Sequence, residues 1–510
     1  MKKILINSEP WQTRVAVLDG DELRDLSLEM PEKPELERSF FKGKIIKVLP
    51  GIQTAFVDIG QQRSGFLHIS EVDRVLASER IFESQDSGGD TGNEEKKPKK
   101  ISRKAMDISK IFSEGDEVLI QVTKEPVFEK GAKLTTCYTI PGKFLVLMPN
   151  IPQIGISRKV EGKEERNRLK ELISEILPEG MGAIVRTTAD GRSSKDIKRD
   201  LSYLLATWKS INETMKKVGP SEKVYEDVSI ALRAVREHLE EDTEAIVCDR
   251  SSVITEIKSF IQKFMPEQIS KIKHYRGVQP IFDKFGVEKQ IDELLHRKVH
   301  LKSGGTLIIE STEAMTVIDV NTGRFVGKKK GTLEETILNT NLEAAEEVVR
   351  QLRLRNIGGL IVVDFIDMMH LPNRQKLSHL LTKTLREKDK LQSVALKVSE
   401  FGLVQMTRKR SGRTLAQQLT HECSVCKSNG FVKSPATLSY ELLRGLKREI
   451  IQDKVAGKII VSVPASQFEY LTSSAFNALL SLEKRFKIRI VLERAGDLFR
   501  SQFRLRREES

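Results

Sequence analysis

The sequence predicts a chain of several domains, of mixed α/β and α+β class. Its 510 residues exceed what a single hydrophobic core usually supports, and the 39% share of hydrophobic residues is enough to fill several cores. Residues 315–364 have the pattern strand, long helix, strand, which is typical of a parallel βαβ unit. Residues 40–140 instead hold a run of short strands, which favours a small barrel.

Composition limits the compartment and the partner. A net charge of +13 favours a polyanionic partner, although charge alone does not separate RNA from DNA or from an anionic membrane surface. Four cysteines make a disulfide framework unexpected, so a reducing cytoplasm is predicted. There is no run of eighteen apolar residues and no signal peptide after the start, so we expect no membrane span.

The βαβ segment carries a candidate metal site. Residues 315–321 alternate like a strand, so Asp319 and Asn321 project from the same face. The apolar strand 360–363 then delivers Asp364 near its end. Either acid alone is a common strand-end or turn residue, but two acids on neighbouring strand ends repel each other without a cation. Two carboxylates and an amide oxygen suit Mg²⁺ or Mn²⁺.

These residues also carry a family resemblance. The segments IDVNTGRF and LEETILNTNLEAAEEVVRQLRLRNIGGLIVVDFIDM closely resemble the catalytic segment of the ribonuclease E/G family of bacterial endoribonucleases. The resemblance extends from VLPGIQTAFVDIG near the start to the cysteine pair near residue 425. The residue pattern and this resemblance together predict one Mg²⁺ per chain, bound by Asp319 and Asp364. Asn321 is expected to orient Asp319 or a bound water. A metal-activated water would then cleave RNA in line, leaving 5′-phosphate and 3′-hydroxyl ends.

Residues 36–138 have the strand cadence of an OB fold, interrupted by a polar segment at 83–104 that we expect to be disordered. Phe56 and Phe66 stand where this fold presents aromatic rings to nucleic acid, although most strand phenylalanines belong to a core. The resemblance implies that Phe56, Phe66 and Lys130 contribute to RNA binding.

A second module is predicted at 139–231. Within it, Arg186 and Thr187 end a strand beside a glycine-containing loop and the start of a helix, a composition suited to a phosphate. The plainer interpretation is a solvated strand end. The resemblance implies that Arg186 and Thr187 sense a 5′-monophosphate on the substrate.

The remaining domain assignments follow from the resemblance. Residues 1–35 contain too few strands to bury a core, so we expect them to pair with a later segment. The resemblance implies an RNase H-like scaffold made of residues 1–35 and 232–298. It implies a DNase I-like catalytic domain at 299–420, and a small α+β domain follows at 434–510.

Residues 421–433 contain Cys423 and Cys426, a single CxxC pair followed by glycine, which resembles half of a zinc ribbon. Cys137 and Cys248 lie in strand-like sequence of other domains and are expected to be buried thiols. A redox pair is an alternative, but the thioredoxin-type strand–CxxC–helix context is absent. The simplest complete site has two chains that share one Zn²⁺, and the resemblance implies the same, with dimers that pair into tetramers.

The favoured function is a Mg²⁺-dependent endoribonuclease of single-stranded, A/U-rich RNA that prefers 5′-monophosphorylated substrates. Its expected roles are in maturation of ribosomal and other RNA and in mRNA decay. The alternative is a non-catalytic RNA-binding or ribosome-assembly factor, which leaves the acidic pair unexplained. A deoxyribonuclease is a weaker option. The sequence ends soon after the small domain, so we expect no long C-terminal tail that recruits other decay enzymes.

Overall fold

A computed structural model of the chain describes residues 1–30, 35–77, 80, 107–126, 131–157, 159–160, 162–323, 333–427, 430–452, 457–496, 498 and 503–507. It divides into two compact units, Met1–Gln418 and Leu419–Ser510. The segment expected to be disordered, 83–104, and the predicted RNA-binding Lys130 lie outside the described residues.

Both units contain strands and α-helices. The strands are β1 (Lys2–Glu9), β2 (Gln12–Asp19), β3 (Glu22–Glu29), β4 (Phe40–Leu49), β5 (Thr54–Asp58), β6 (Gly65–His68), β7 (Glu117–Lys124), β8 (Lys133–Thr135), β9 (Ile140–Pro141), β10 (Leu145–Met148), β11 (Ile154–Ile156), β12 (Gly182–Val185), β13 (Lys223–Tyr225), β14 (Thr243–Cys248), β15 (Ile272–His274), β16 (Lys298–His300), β17 (Thr306–Ser311), β18 (Met315–Asn321), β19 (Gly359–Asp364), β20 (Ser393–Ala395), β21 (Leu403–Arg408), β22 (Gly457–Val463), β23 (Ile488–Arg494) and β24 (Arg504–Arg507). The α-helices are α1 (Lys163–Ile176), α2 (Ser194–Met215), α3 (Ile230–His238), α4 (Ser251–Phe264), α5 (Ile281–Lys284), α6 (Val287–Leu295), α7 (Leu333–Leu354), α8 (Leu371–Lys388), α9 (Leu415–Leu419), α10 (Pro435–Gln452), α11 (Ala465–Ser473) and α12 (Phe476–Phe486). None of the described helices has both the length and the apolar character to cross a lipid bilayer.

The N-terminal strands complete their sheet with a segment from far along the chain. The sheet has the order β15-β14-β1-β2-β3, and β1 runs parallel to β14. Beside this pairing, Asn7 donates a hydrogen bond of 2.7 Å to Asp249, which lies 242 residues later. The expectation that residues 1–35 pair with a later segment is therefore confirmed, while the RNase H-like assignment stays a prediction.

The module predicted at 139–231 and the sheet that contains the N-terminal strands share one hydrophobic core. The sheet β11-β12-β10-β9 packs with α1 and α2 in the module predicted at 139–231. Its buried side chains, such as Leu145 and Ile197, belong to the same cluster as Ile4 and Ile246 of the N-terminal sheet. The two modules therefore form one packed body rather than two independent cores.

Residues 40–135 contribute the strands of a closed five-stranded barrel, as expected of an OB-like fold. The strand order is β4-β5-β6-β8-β7, and a pairing of β4 with β7 closes the ring. Alternate residues such as Ile45, Val57 and Leu67 fill its interior. Gly43 allows this closure, because a Cβ there would lie 2.5 Å from Val57 Cγ1.

The predicted βαβ unit is present, with β18 and β19 parallel and α7 connecting them. These strands lie at the centre of a mixed sheet with the order β16-β17-β18-β19-β21-β20. One face of the sheet is buried with residues of α7 and α8, through side chains such as Ile318 and Val363. The alternate residues of β18 and β19, including the predicted metal ligands, therefore project from the opposite face.

The second unit contains a three-stranded sheet with the order β23-β22-β24. The sequence predicts a helix, a strand, a second helix and a second strand in turn across residues 438–495, and α10, β22, α12 and β23 are present there. Helix α11 and strand β24 were not predicted. A core that includes Leu446, Val461 and Leu471 joins α10, α11 and β22. The sequence therefore gives the α+β class of this unit but not all of its elements.

Candidate active site

Asp319 and Asp364 are direct neighbours in the central parallel strand pair. The register places Asp319 opposite Asp364, at the carboxyl end of β19. The Asp319 side chain is half-buried and that of Asp364 is exposed, whereas the flanking Val320 and Val363 point into the core. The two carboxylates therefore share one accessible face of the sheet, as predicted; we call them the carboxylate pair.

Asn321 lies on the same face as Asp319 and contacts it directly. Its Nδ2 atom donates a hydrogen bond of 2.7 Å to Asp319 Oδ2. This contact does not use the Oδ1 atom of Asp319 or the amide oxygen of Asn321. The prediction that Asn321 orients Asp319 thus has a geometric basis, because the hydrogen bond restricts rotation of the carboxylate.

The negative charges of the carboxylate pair repel each other. Burial raises the pKa of the Asp364 carboxyl, and the negative charges of Asp319 and Asp367 raise it further. Asp367 is a third, exposed acid in the loop after β19, and the sequence pattern did not single it out. A bound cation would relieve this repulsion, so the residues fit a divalent metal.

The protein ligands alone do not complete a metal site. Across the part of the chain that the structure describes, no three His, Cys, Asp or Glu side chains are grouped closely enough to hold a metal. The available donors are two carboxylates and an amide. This number suits Mg²⁺, which usually keeps several waters and binds one or two carboxylates together with substrate phosphates.

Glycines at the start of β19 let this strand enter the sheet. Gly359 has φ +103°, a conformation that side chains with a Cβ rarely adopt. A Cβ on Gly358 would lie 2.9 Å from the Cα atom of Arg410. The GG dipeptide is therefore required by backbone conformation and close approach, and it sets the register that delivers Asp364.

Arg186 directly follows β12, which ends at Val185, one residue earlier than predicted. Its Nη1 atom donates a hydrogen bond of 2.7 Å to the carbonyl of Gly142. Burial lowers the pKa of the guanidinium, Glu237 opposes this effect, and Arg236 and Arg38 add to it. Because an arginine stays protonated in proteins, Arg186 is a half-buried cation in a region with two further arginines.

Thr187 is exposed and begins a 3₁₀ turn that precedes α2. Its hydroxyl lies 3.5 Å from that of Ser157, the residue after β11. The strand end, the glycine loop at Gly191 and the helix start at Ser194 follow one another as predicted. Arg186 and Thr187 therefore provide a cation and an exposed hydroxyl at one strand end.

Phe56 and Phe66 lie on the outer surface of the barrel, not in its core. They are paired across β5 and β6, and both are half-buried. Their neighbours Val57 and Leu67 are the residues that fill the interior. The interpretation that these rings are core residues is thus excluded, while the third predicted contact, Lys130, lies outside the described residues.

The register extends the aromatic pair into a row of four residues, which the sequence did not reveal. Lys47 on β4 pairs with Phe56, and Lys133 on β8 pairs with Phe66. Lys47 is exposed, and Lys133 forms an ion pair with Glu71. We call these four residues the barrel row; its order is basic, aromatic, aromatic, basic.

The CxxC pair of the second unit lies in a surface turn. The Lys427 N–H donates a hydrogen bond of 2.8 Å to the Cys423 carbonyl, and Lys427 has φ 47°. A hydrogen bond from the Cys426 backbone lowers the pKa of the Cys423 thiol, and the Val425 backbone adds to this. Cys423 is exposed and Cys426 half-buried, so both thiols are close together at the surface.

The other two cysteines belong to the first unit. Cys248 is buried, and burial raises its pKa to about 11, as expected of a buried structural thiol. Cys137 is only half-buried. Neither is placed in a group of ligands within the described residues.

Comparison with known proteins agrees with this arrangement. A model of the Ribonuclease E/G family matches residues 139–411, and a model described as RNase E/G, Thioredoxin-like domain matches residues 422–508. Ribonuclease G of Escherichia coli strain K12 is 38% identical over 446 residues, which cover 88% of this chain and 87% of that protein. Ribonuclease G of Haemophilus influenzae is 37% identical over 492 residues, 96% of each chain. Ribonuclease E of Escherichia coli strain K12 is 36% identical over 489 residues, which are 95% of this chain but 44% of that protein. The chain therefore belongs to the ribonuclease E/G family.

Proposed function

We propose that this chain is a Mg²⁺-dependent endoribonuclease that cleaves single-stranded, A/U-rich RNA in ribosomal RNA maturation and mRNA decay. Membership of the ribonuclease E/G family makes it an endoribonuclease, a hydrolase that acts in RNA processing. The observation that carries the finer proposal is the register pairing of Asp319 with Asp364 on an accessible sheet face. Two acids held together on an exposed face are costly unless a cation or a positively charged substrate complex occupies them.

Asp319 and Asp364 would hold the cation, and Asn321 keeps the Asp319 carboxylate in one orientation through its hydrogen bond. When bound, a divalent cation supplies positive charge to the non-bridging phosphoryl oxygens and makes a coordinated water more acidic. Hydrolysis by water breaks the bond between phosphorus and the 3′ oxygen. The expected products therefore carry a 5′-phosphate and a 3′-hydroxyl.

The barrel row would hold the RNA strand near the site of cleavage. Partly exposed aromatic rings accept stacked bases, and the exposed Lys47 at one end of the row suits a phosphate, whereas Lys133 at the other end is paired with Glu71. Phe56 and Phe66 are paired side by side, so two bases can stack on one continuous platform. Lys130, carried over from the family resemblance, is proposed as a third contact.

A 5′-monophosphate preference is proposed for Arg186 and Thr187. The half-buried guanidinium offers donors that its one hydrogen bond to Gly142 does not use. The exposed Thr187 hydroxyl adds a neutral donor at the same strand end. Such a combination recognises a terminal phosphate better than an internal one, because the terminal group has an additional charged oxygen.

Zn²⁺ is proposed to link two chains through Cys423 and Cys426. The turn brings the two thiols together at the surface, and backbone hydrogen bonds favour the thiolate of Cys423. A structural zinc site needs four ligands, and two chains related by a two-fold axis supply two thiolates each. We propose that dimers of this kind pair further into tetramers.

Cleavage assays with defined RNA test the proposed function. A single-stranded, A/U-rich RNA with a 5′-monophosphate is incubated with the purified chain in Mg²⁺ or in chelator, beside DNA of the same sequence. We expect cleavage of the RNA only, in Mg²⁺ only, and 3′ ends that accept ligation without phosphatase treatment. Binding without cleavage would support an RNA-binding factor, and cleavage of the DNA would support a deoxyribonuclease.

The sensor proposal predicts the effect of Arg186→Ala. Loss of a charge-assisted hydrogen bond costs about 1.5–3 kcal/mol, so the preference for 5′-monophosphate over 5′-hydroxyl RNA should fall roughly ten- to a hundredfold. Cleavage of circular RNA, which has no 5′ end, should change much less. The measurement is kcat/KM on the three substrates.

Arg199→Ala is the matched control, because Arg199 is an exposed arginine on the neighbouring helix α2. This variant should keep the full preference. An equal loss on all three substrates in Arg186→Ala would instead assign Arg186 to folding or to general backbone binding.

A further inference from the structure

One buried asparagine of α7 holds the backbone that follows the carboxylate pair. Asn341 is fully buried, with 0% of its surface exposed. Its Nδ2 atom donates to the Ile366 carbonyl at 2.8 Å, and its Oδ1 atom accepts from the Ile366 N–H at 3.0 Å. One amide thus pairs with both backbone groups of a single residue, which lies between Asp364 and Asp367.

This side chain has no role in the helix itself. Asparagine has a lower helix propensity than the residues common in helix interiors, and a buried amide is costly unless it is fully hydrogen-bonded. Asn341 meets that requirement outside its own helix, at the point where the chain leaves β19. The sheet pairing ends at Asp364, opposite Leu403, so the Ile366 backbone has left the ladder.

The same helix holds the loop at a second place. Near the start of α7, the Glu334 carboxylate accepts hydrogen bonds from the backbone N–H groups of Met369, at 3.5 Å, and His370, at 3.2 Å. On the other side of the loop, the Phe365 N–H donates to the carbonyl of Gly402 at 3.2 Å. Among these contacts, that of Asn341 is the one in which a fully buried side chain makes two hydrogen bonds to a single residue.

We propose that Asn341 is a positioning residue for the metal site. By holding Ile366 it fixes the direction in which β19 ends, and so keeps the Asp364 carboxylate opposite Asp319 at the spacing that a cation requires. This inference rests on the proposed metal-dependent function. It adds Asn341, a residue of the connecting helix that lies 23 positions before Asp364, to the strand residues of the proposed metal site.

Metal binding in the absence of RNA is the decisive measurement. Mn²⁺ is titrated into the full chain and free Mn²⁺ is followed by electron paramagnetic resonance. Asn341→Leu has a similar size but makes neither hydrogen bond, and we expect it to weaken Mn²⁺ binding roughly tenfold or more. In cleavage assays the Mg²⁺ concentration for half-maximal rate should rise by a similar factor, while KM for RNA at saturating Mg²⁺ stays within about twofold.

Thr340→Val is the matched control. Thr340 is the neighbouring buried residue of α7, and its hydroxyl donates within the helix, to the Thr336 carbonyl at 3.0 Å. This variant removes a buried polar group from the same helix without touching the loop, so its metal affinity should stay that of the wild type. Asn341→Ser, which leaves room for a water in place of the amide, serves if Asn341→Leu does not fold, and should shift the metal affinity in the same direction.

Unchanged Mn²⁺ affinity and unchanged Mg²⁺ dependence in a folded Asn341 variant would overturn the inference. A variant that only unfolds at lower temperature would then show that Asn341 supports the fold alone. A failure of the proposed metal-dependent function can be distinguished from a failure of the Asn341 inference. In the first case, the Asp364→Asn variant would keep both Mn²⁺ binding and cleavage.

Discussion

Replacing either member of the carboxylate pair by asparagine should abolish cleavage while leaving the fold and RNA binding nearly intact. Asp319→Asn and Asp364→Asn each remove the charge of one proposed metal ligand but keep the shape of the side chain. Metal ions stabilise such transition states by several kcal/mol, and each 1.36 kcal/mol is a tenfold change, so we expect a loss of about a thousandfold or more. RNA affinity should fall little, because phosphate contacts by Lys and Arg supply most of it.

The measurement compares single-turnover cleavage with RNA affinity by fluorescence anisotropy. Glu310→Gln is the matched control, since Glu310 is an exposed acid on the neighbouring strand β17 that pairs with Arg297. It should cleave at the wild-type rate. Full activity in both aspartate variants would remove the carboxylate pair from the mechanism.

Cys426→Ser should release zinc and dissociate the dimer. If four thiolates close one tetrahedral site, the protein contains about one Zn²⁺ per two chains, and one substitution removes a thiolate from each side of the two-fold axis. Light scattering gives the mass and metal analysis the zinc content of the same sample. Activity should fall as well if an RNA contacts the 5′-phosphate site of one chain and the carboxylate pair of its partner.

Cys137→Ala controls for the loss of a thiol, because Cys137 is a half-buried residue that follows β8 in the first unit. It should keep zinc, mass and activity. A Cys426→Ser protein with the same zinc content, mass and activity as the wild type would mean that the CxxC pair is a feature of one chain, of redox or structural type.

The strand and helix pattern predicted the carboxylate pair because the relevant information is local. Alternation over residues 315–321 gives the face of Asp319, and the apolar run before Asp364 gives a buried parallel strand. The connecting helix that the sequence predicts over residues 332–355 is present as α7, and residue 332 lies outside the described residues. The long, strongly periodic elements are therefore the ones that the sequence specifies directly.

Features that depend on register or long-range contact were not predictable in the same way. Lys47 joins the barrel row only through its pairing with Phe56, and nothing in the sequence states which residues of β4 and β5 are opposite. Asn341 and Ile366 meet because α7 packs on the sheet, so the pattern marks neither of them. The shared core of the two predicted modules also depends on long-range contacts, because composition does not reveal which buried side chains meet.

The parallel pairing of β1 with β14 also has a consequence for synthesis of the chain. The first strands leave the ribosome long before their partner, because Ile4 pairs with Ile246. At ordinary elongation rates of about 5–20 residues per second, this interval is roughly ten to fifty seconds. During it, the edge of β1 has no partner strand and the later segments that cover the apolar side chains are not yet made, a state that favours pairing with other chains. Translation therefore leaves the edge of β1 unpaired until β14 has been made, and pairing with other chains competes with folding during that interval.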